Sequence, residues 1–343
     1  MSFSKVLLAG AALAFGAQAA TAQQISWLSQ SQNQSAQYPV EIAAIEEINA
    51  EGFTVLRNEF QALGISMADG LRLVREGTFN LASIQVGLVA SDDPFLEGID
   101  LIGVSTDTDS LADAVAAYRE AFDARLEERF GVKAMAVWPF GGQIFFCNEP
   151  IETLADLQGL KVRSFTASMS SLLERLGATP VTLAFPEVYP ALQRGVASCG
   201  ITSATSANTG KWPEVTSHVL PLSVSGSIQA HVVNLEWFNG LPEDAQASLT
   251  EHFTKLEEDL WALARETNEL ALSCTTGGDC DSDIYQAFDL ELVEVSEADM
   301  AQLQDISSEV IVGEWIQRCE RTYADCGTVW YETVGAARGF TAP

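Results

Sequence analysis

The sequence predicts an α/β protein of two lobes. Short β-type runs alternate with amphipathic helical runs from Gln24 to Cys147, and the alternation restarts at Lys161, as expected for two separate units of helix-covered sheet. The length agrees: 343 residues, 47% hydrophobic and 19% charged, are two domains' worth at ~150 residues each and too apolar for wholesale disorder. A third observation is a helical stretch after Pro242 that outruns one small lobe and suits a bridge between two.

In chain order, Gln24 to Leu28 reads as a strand, Val40 to Ala50 as a helix and Phe53 to Asn58 as a strand. A helix from Ser66 to Glu76 follows, then apolar strands over Asn80 to Val86 and Ile99 to Val104. Ser110, with Asp113 three residues on, predicts a capped long helix reaching Arg129, because these side chains accept from the orphan amides of a first turn. Strands at Val132 to Trp138 and Gln143 to Cys147 complete the first unit. The second has strands at Lys161 to Ser164, Pro180 to Leu183 and Ala197 to Ile201, with helices Ser168 to Leu176 and Glu187 to Arg194 between them. Such alternation predicts mostly parallel sheets, whose ligands sit at the carboxyl ends of strands, so a cleft between the lobes is the expected site.

Asn239-Gly240-Leu241-Pro242-Glu243-Asp244 opens the long helix, with proline near the first helical position and two acids in the first turn. Leu249, Phe253, Leu256, Leu260, Leu263 and Leu270 then recur at helical spacing as far as Gly277-Gly278, a length of ~45 Å at 1.5 Å per residue. Ser296 with Asp299 caps a further helix running to Trp315, and Trp330 to Arg338 closes the chain.

Lys5, the apolar run Val6 to Ala20 and the triplet Ala20-Thr21-Ala22 have the layout of a cleavable export signal over residues 1–22. The mature chain is expected to start at Gln23, to be periplasmic, and to carry no direct membrane anchor, since the first cysteine is Cys147 and no later run is long enough to span a bilayer. An oxidising compartment favours pairing of the six cysteines. The short polar loops between Cys274 and Cys280 and between Cys319 and Cys326 favour local bridges, leaving Cys147 with Cys199. With 47 acidic and 18 basic residues the net charge is −29, which argues against a nucleic-acid partner, because such a surface repels phosphate.

No dinucleotide fingerprint, phosphate-binding loop, nucleophile elbow or zinc-protease motif is present. The histidines His218, His231 and His252 lack the spacing of a relay or a metal site. Neither catalysis nor a cofactor or metal is therefore predicted. Basic residues are scarce enough that Arg163 stands out: it closes the strand Lys161-Val162-Arg163 just before a helix start at Ser164-Phe165-Thr166-Ala167-Ser168. A guanidinium fork beside helix amides suits a carboxylate. A salt bridge on the surface or between lobes is the competing reading from the residues alone.

The run Pro150-Ile151-Glu152-Thr153-Leu154-Ala155-Asp156-Leu157-Gln158-Gly159-Leu160-Lys161-Val162-Arg163 resembles the signature of TRAP transporter solute-binding proteins, the DctP-like periplasmic receptors. The resemblance continues through Leu176-Gly177-Ala178, Phe185-Pro186-Glu187-Val188-Tyr189, Ala191-Leu192-Gln193-Arg194-Gly195 and Leu241-Pro242-Glu243-Asp244. It implies a two-lobed periplasmic-binding-protein fold with mixed sheets, hinge strands and a lobe-spanning helix. It also implies a receptor that closes on an organic acid and delivers it to a small and a large membrane permease subunit, with Arg163 holding the ligand carboxylate. Lobe I is expected over 23–140 and 226–258, and lobe II over 141–225 and 259–343.

Two departures bear on the ligand. Where many relatives carry a second arginine, this chain has Gln143 within Phe140-Gly141-Gly142-Gln143-Ile144, and the common Asp-Gly-Gln-Glu-Asn-Pro segment is replaced by Ser198-Cys199-Gly200-Ile201-Thr202-Ser203. A monocarboxylate with an apolar or aromatic body is therefore expected. Trp138, Phe140, Phe165 and Trp212 are the candidate aromatic walls, and Gln85, Gln143, Thr202, Ser203 and Asn208 the candidate neutral partners. Glu187 and Tyr189 are assigned to structure. An ABC-type or sensory periplasmic binding protein is the alternative within this fold; a secreted hydrolase would need an activated carboxylate in the cleft.

Overall fold

The computed structural model describes residues 23–32 and 36–342; the expected export signal at 1–22 lies outside the described residues. Eleven strands form among these: β1 (Gln23–Ser29), β2 (Phe53–Glu59), β3 (Leu81–Gln85), β4 (Val132–Pro139), β5 (Gln143–Cys147), β6 (Lys161–Ser164), β7 (Thr179–Thr182), β8 (Cys199–Ser203), β9 (His218–Leu220), β10 (Ile228–Asn234) and β11 (Glu291–Leu292). They make two sheets, ordered β2-β1-β3-β10-β4 and β11-β9-β5-β8-β6-β7. No described helix is long and apolar enough to cross a membrane.

The sheets are mixed where alternation alone predicts mostly parallel ones, and the reversed strands share a cause. In the first sheet β10 runs antiparallel to β3 and β4; in the second, β5 runs antiparallel to β8 and β9. Both are entered directly from the other sheet, through 140–142 and 221–227, rather than through a covering helix that would return the chain in parallel. The two crossings lie side by side: Phe140 N–H donates to Ser227 O at 3.3 Å, Gln143 N–H to Ser225 O at 2.8 Å and Val224 N–H to Gln143 O at 2.9 Å. They form a two-stranded ribbon between the lobes.

The helix Glu243–Thr275 is 33 residues long, ~50 Å at 1.5 Å per residue. Leu249, Phe253, Leu256 and Leu260 bury against Trp27, Met135 and Trp138 of the first lobe, whereas Ala271 and Cys274 bury with Phe146 and Trp212 of the second. Amphipathic spacing therefore seats one helix on both lobes. Disulfides join Cys147–Cys199, Cys274–Cys280 and Cys319–Cys326, the first of them between directly paired residues of β5 and β8.

Three local expectations are corrected. Ile99 to Val104 is no strand: Pro94–Asp100 is a 3₁₀ segment and Leu101 to Val104 a buried loop, since a short apolar run reports burial rather than backbone geometry. The helix expected from Ser110 begins at Thr108, capped by Asp107, whose carboxylate accepts from Asp109 and Ser110 N–H. The C-terminal segment does not stay with the second lobe as expected for 259–343. Leu303 and Ile311 pack there, but Val312, Trp315, Trp330 and Val334 bury against Phe95, Tyr118 and Phe122 of the first. Trp315 and Trp330 anchor this return, donating to Pro94 O at 2.7 Å and Gly98 O at 2.9 Å.

Candidate functional site

The carboxyl ends of β6 and β8 and the start of β5, adjacent inner strands of the second sheet, lie together at one end of its strands, facing the end of β3 in the first. Between them lies a cavity of about 520 Å³, within the usual range for small-molecule sites. The first lobe contributes Gln30, Phe60, Met67, Gln85 and Leu88; the inter-lobe ribbon contributes Phe140, Gln143 and Ser227. The second lobe adds Arg163, Phe165, Leu183, Phe185, Thr202 and Ser206.

Arg163 is 3% exposed. Its Nε–H donates to Leu183 O at 3.1 Å and Nη1–H to Ile201 O at 2.8 Å, so two carbonyls of neighbouring strand ends aim the guanidinium. Its Cζ sits 4.5 Å from the Phe165 ring centroid and 5.8 Å from that of Trp212. No carboxylate among the described residues pairs with it, and it is the only cation among the described lining residues. Burial pushes its pKa down to about 9, which still leaves a cation at neutral pH. A desolvated cation that holds only neutral partners and faces a cavity is set to receive an anion. Glu187, the only acid in the described lining, is engaged as a helix cap, accepting Ala184 N–H at 2.9 Å.

Neutral groups complete the surface. Gln143 is 2% exposed and its Nε2 donates to Gly141 O at 2.9 Å. Gln85 Nε2 donates to Ser227 Oγ at 2.7 Å, and Ser227 holds a left-handed φ of 55°. Ser206 Oγ accepts from Ser203 Oγ at 2.9 Å, which leaves its own hydroxyl proton to point elsewhere.

Of the residues expected at the site, Arg163, Phe165, Gln143, Phe140, Gln85 and Thr202 line this cavity, whereas Trp138, Ser203, Asn208 and Trp212 do not. Trp138 is core: its Nε1–H donates to His231 Nδ1 at 3.2 Å and the two rings stack. His231 Nε2 lies 3.3 Å from Glu41 Oε1, and Glu41 also pairs with Arg57 at 3.1 Å. Burial of Glu41 opposes ionisation, but His231, Arg57 and Ser29 outweigh it and hold the carboxyl below its ordinary range.

Ser203 caps the helix Ala204–Thr209. Asn208 clamps a loop, donating to Gln286 O at 2.8 Å and accepting Gln286 N–H at 2.9 Å. Trp212 is fully buried behind Arg163 and stacks on Phe185, with centroids 5.3 Å apart. It reaches this position because residue 200 is glycine: a Cβ there would lie 2.7 Å from the indole.

Gln30, Phe60, Met67 and Phe185 line the cavity without having been predicted to do so. Phe185 stands in a quoted family motif, which was its available signal. Phe60 arrives on the residue after β2, and Met67 on the first turn of the helical segment read from Ser66, where helical spacing does not say which side chain meets a cavity. Among the described residues no group of histidine, cysteine and carboxylate side chains could hold a metal ion.

Comparison with known proteins bears on this arrangement. The family profile of the bacterial extracellular solute-binding proteins, family 7, matches residues 66–310. The C4-dicarboxylate-binding periplasmic protein DctP of Rhodobacter capsulatus is 31% identical over 150 residues, 43% of this chain and 45% of that one. The ectoine-binding periplasmic protein TeaA of Halomonas elongata is 27% identical over 145 residues, 41% of this chain and 42% of that one. The matched stretches thus span a little under half the length of these two relatives.

In structure, DctP7 of Bordetella pertussis, an extracytoplasmic solute receptor binding pyroglutamic acid, superposes with a TM-score of 0.78 at 18% identity, covering 93% of this chain and 100% of that one. A TRAP periplasmic solute-binding protein of Desulfovibrio salexigens, with bound orotic acid, gives 0.80 at 16% identity and coverages of 92% and 99%. These likenesses establish the two-lobed fold. The relatives are named as binding proteins and receptors rather than enzymes. Because the profile runs through the inter-lobe ribbon, Arg163 and the whole of the long helix, the chain belongs to the DctP family, the bacterial extracellular solute-binding proteins of family 7.

Proposed function

We propose that the protein is the periplasmic receptor of a TRAP transporter for an organic monocarboxylate with an apolar or aromatic body. The observation that carries this reading is Arg163, a buried cation with no carboxylate partner among the described residues, aimed into an inter-lobe cavity. One cation answers one carboxylate. Phe140, Phe165 and Phe185, with Phe60, Met67 and Leu88 opposite, offer the rest of the ligand an apolar enclosure. The R. capsulatus relative is named for C4-dicarboxylates; here Gln143 stands where a second arginine would serve the second carboxylate.

Because the wall comes from both lobes and the ribbon, a ligand touching all three favours a closed arrangement over an open one by its differential contacts. The closed form is the state that the small and large permease subunits would recognise. A thermal-shift screen of the mature chain against mono- and dicarboxylates tests this. A ligand at a hundred times its Kd adds ~2.7 kcal/mol to stability, so stabilisation by aliphatic or aromatic monocarboxylates is expected. Stabilisation confined to dicarboxylates or to uncharged solutes would overturn it.

A further inference from the structure

Gln143 is fixed more tightly than a lining residue needs to be. Its backbone N–H donates to Ser225 O at 2.8 Å and its carbonyl accepts Val224 N–H at 2.9 Å, so the inter-lobe ribbon holds it on both sides. Its side-chain Nε2 folds back onto Gly141 O at 2.9 Å. That contact sets the amide orientation, because turning the amide over would place two carbonyl oxygens against each other. Gly141 is fixed in turn: it has a φ of 111°, and the place of a Cβ is filled by Asn268 of the long helix.

The Oε1 of Gln143 accepts from no described group, although the residue is 2% exposed and lines the cavity. It is an acceptor held toward the ligand space. Gln85, across the cavity, spends its Nε2 on Ser227 Oγ at 2.7 Å and likewise has an Oε1 that accepts from no described group. The polar lining thus includes the Arg163 cation, the hydroxyls of Thr202 and Ser206, and an amide acceptor from each of Gln143 and Gln85.

We infer that the ligand is a carboxylate that also carries an O–H or N–H donor, as in a hydroxy acid or a lactam acid, and that Gln143 Oε1 selects for that donor. The inference rests on the carboxylate-receptor reading and narrows it. A plain carboxylate would strand the acceptor without a partner, and a 2-oxo or 3-oxo acid would set a second acceptor against it. Sites built to bond a substrate donor discriminate strongly against analogues lacking it.

The test is isothermal titration of the wild-type protein with matched monocarboxylates that differ at C2 or at C3 only in hydroxyl, hydrogen or oxo, together with lactam acids and their lactone counterparts. The expected result is that the tightest ligand carries a donor and that its loss or replacement by an oxygen acceptor weakens binding roughly 10-fold to 100-fold. In Gln143→Met, checked for an unchanged melting transition, that difference should collapse. Carboxylates that bind with no donor preference, or a preference that survives in Gln143→Met, would overturn the inference and leave the receptor reading standing. Failure of every carboxylate to bind would overturn both.

Discussion

At the residue scale ligand capture depends on Arg163. Arg163→Gln keeps a polar side chain of lesser reach and removes the charge, and it should cost about 2–5 kcal/mol of ligand affinity, measured by titration with the best acid from the screen.

Support from behind the site is equally testable: Gly200→Ala puts a Cβ 2.7 Å from Trp212, displacing the ring packed behind Arg163, and should lower both Tm and affinity. Arg163 stands out in the sequence as a scarce cation at a strand end, and its place in the cavity wall keeps it the candidate anchor. Trp138 was misread as a wall, since a strand-end aromatic looks the same whether it faces a cleft or, as here, stacks on a buried histidine.

At the element scale the inter-lobe junction is held by the 3₁₀ segment Pro94–Asp100. Glu97 accepts Ser168 N–H, at the start of the helix after Arg163, at 2.9 Å and pairs with Arg318 at 3.1 Å. Asp100 accepts the N–H groups of Gly226 and Ile228 on the ribbon at 3.2 and 3.3 Å. Burial pushes the Asp100 carboxyl from its ordinary 3.8 up to about 6, despite those amides. Its protonated form is therefore favoured by folding: the stabilisation is present below about 3.8 and is lost as pH rises through about 6. The Tm of the wild type relative to Asp100→Asn should accordingly rise as pH falls from 7 to 4, and a difference that stays flat would contradict the assignment.

The bridge between β5 and β8 closes a loop of sequence separation 52, so removing it in a Cys147→Ala, Cys199→Ala double variant should cost about 4 kcal/mol in chemical unfolding. Helices with caps and strands with helical connections could be read from sequence, because their signals are local. The reversed strands β5 and β10 could not: their direction comes from two short crossings, and nothing in 140–142 or 221–227 reports a partner eighty residues away.

At the scale of the whole molecule, two α/β lobes, three disulfides and a bridging helix were all legible, the last because 33 residues of amphipathic spacing have no place on one small lobe. The home of the C-terminal segment was not, since helical spacing gives a buried face but not its partner. The net charge of −29 surrounds an anion-binding cleft with a repelling field. Association of an anionic ligand should therefore speed up with added salt, followed by stopped-flow tryptophan fluorescence.

Capture of a carboxylate between the lobes by the buried, unpaired Arg163 is tested by titrating wild-type and Arg163→Gln proteins with the same monocarboxylate. The expected result is one-to-one binding by the wild type and a loss of roughly 30-fold or more in a variant whose melting transition is retained. Equal affinity in the two proteins would contradict it.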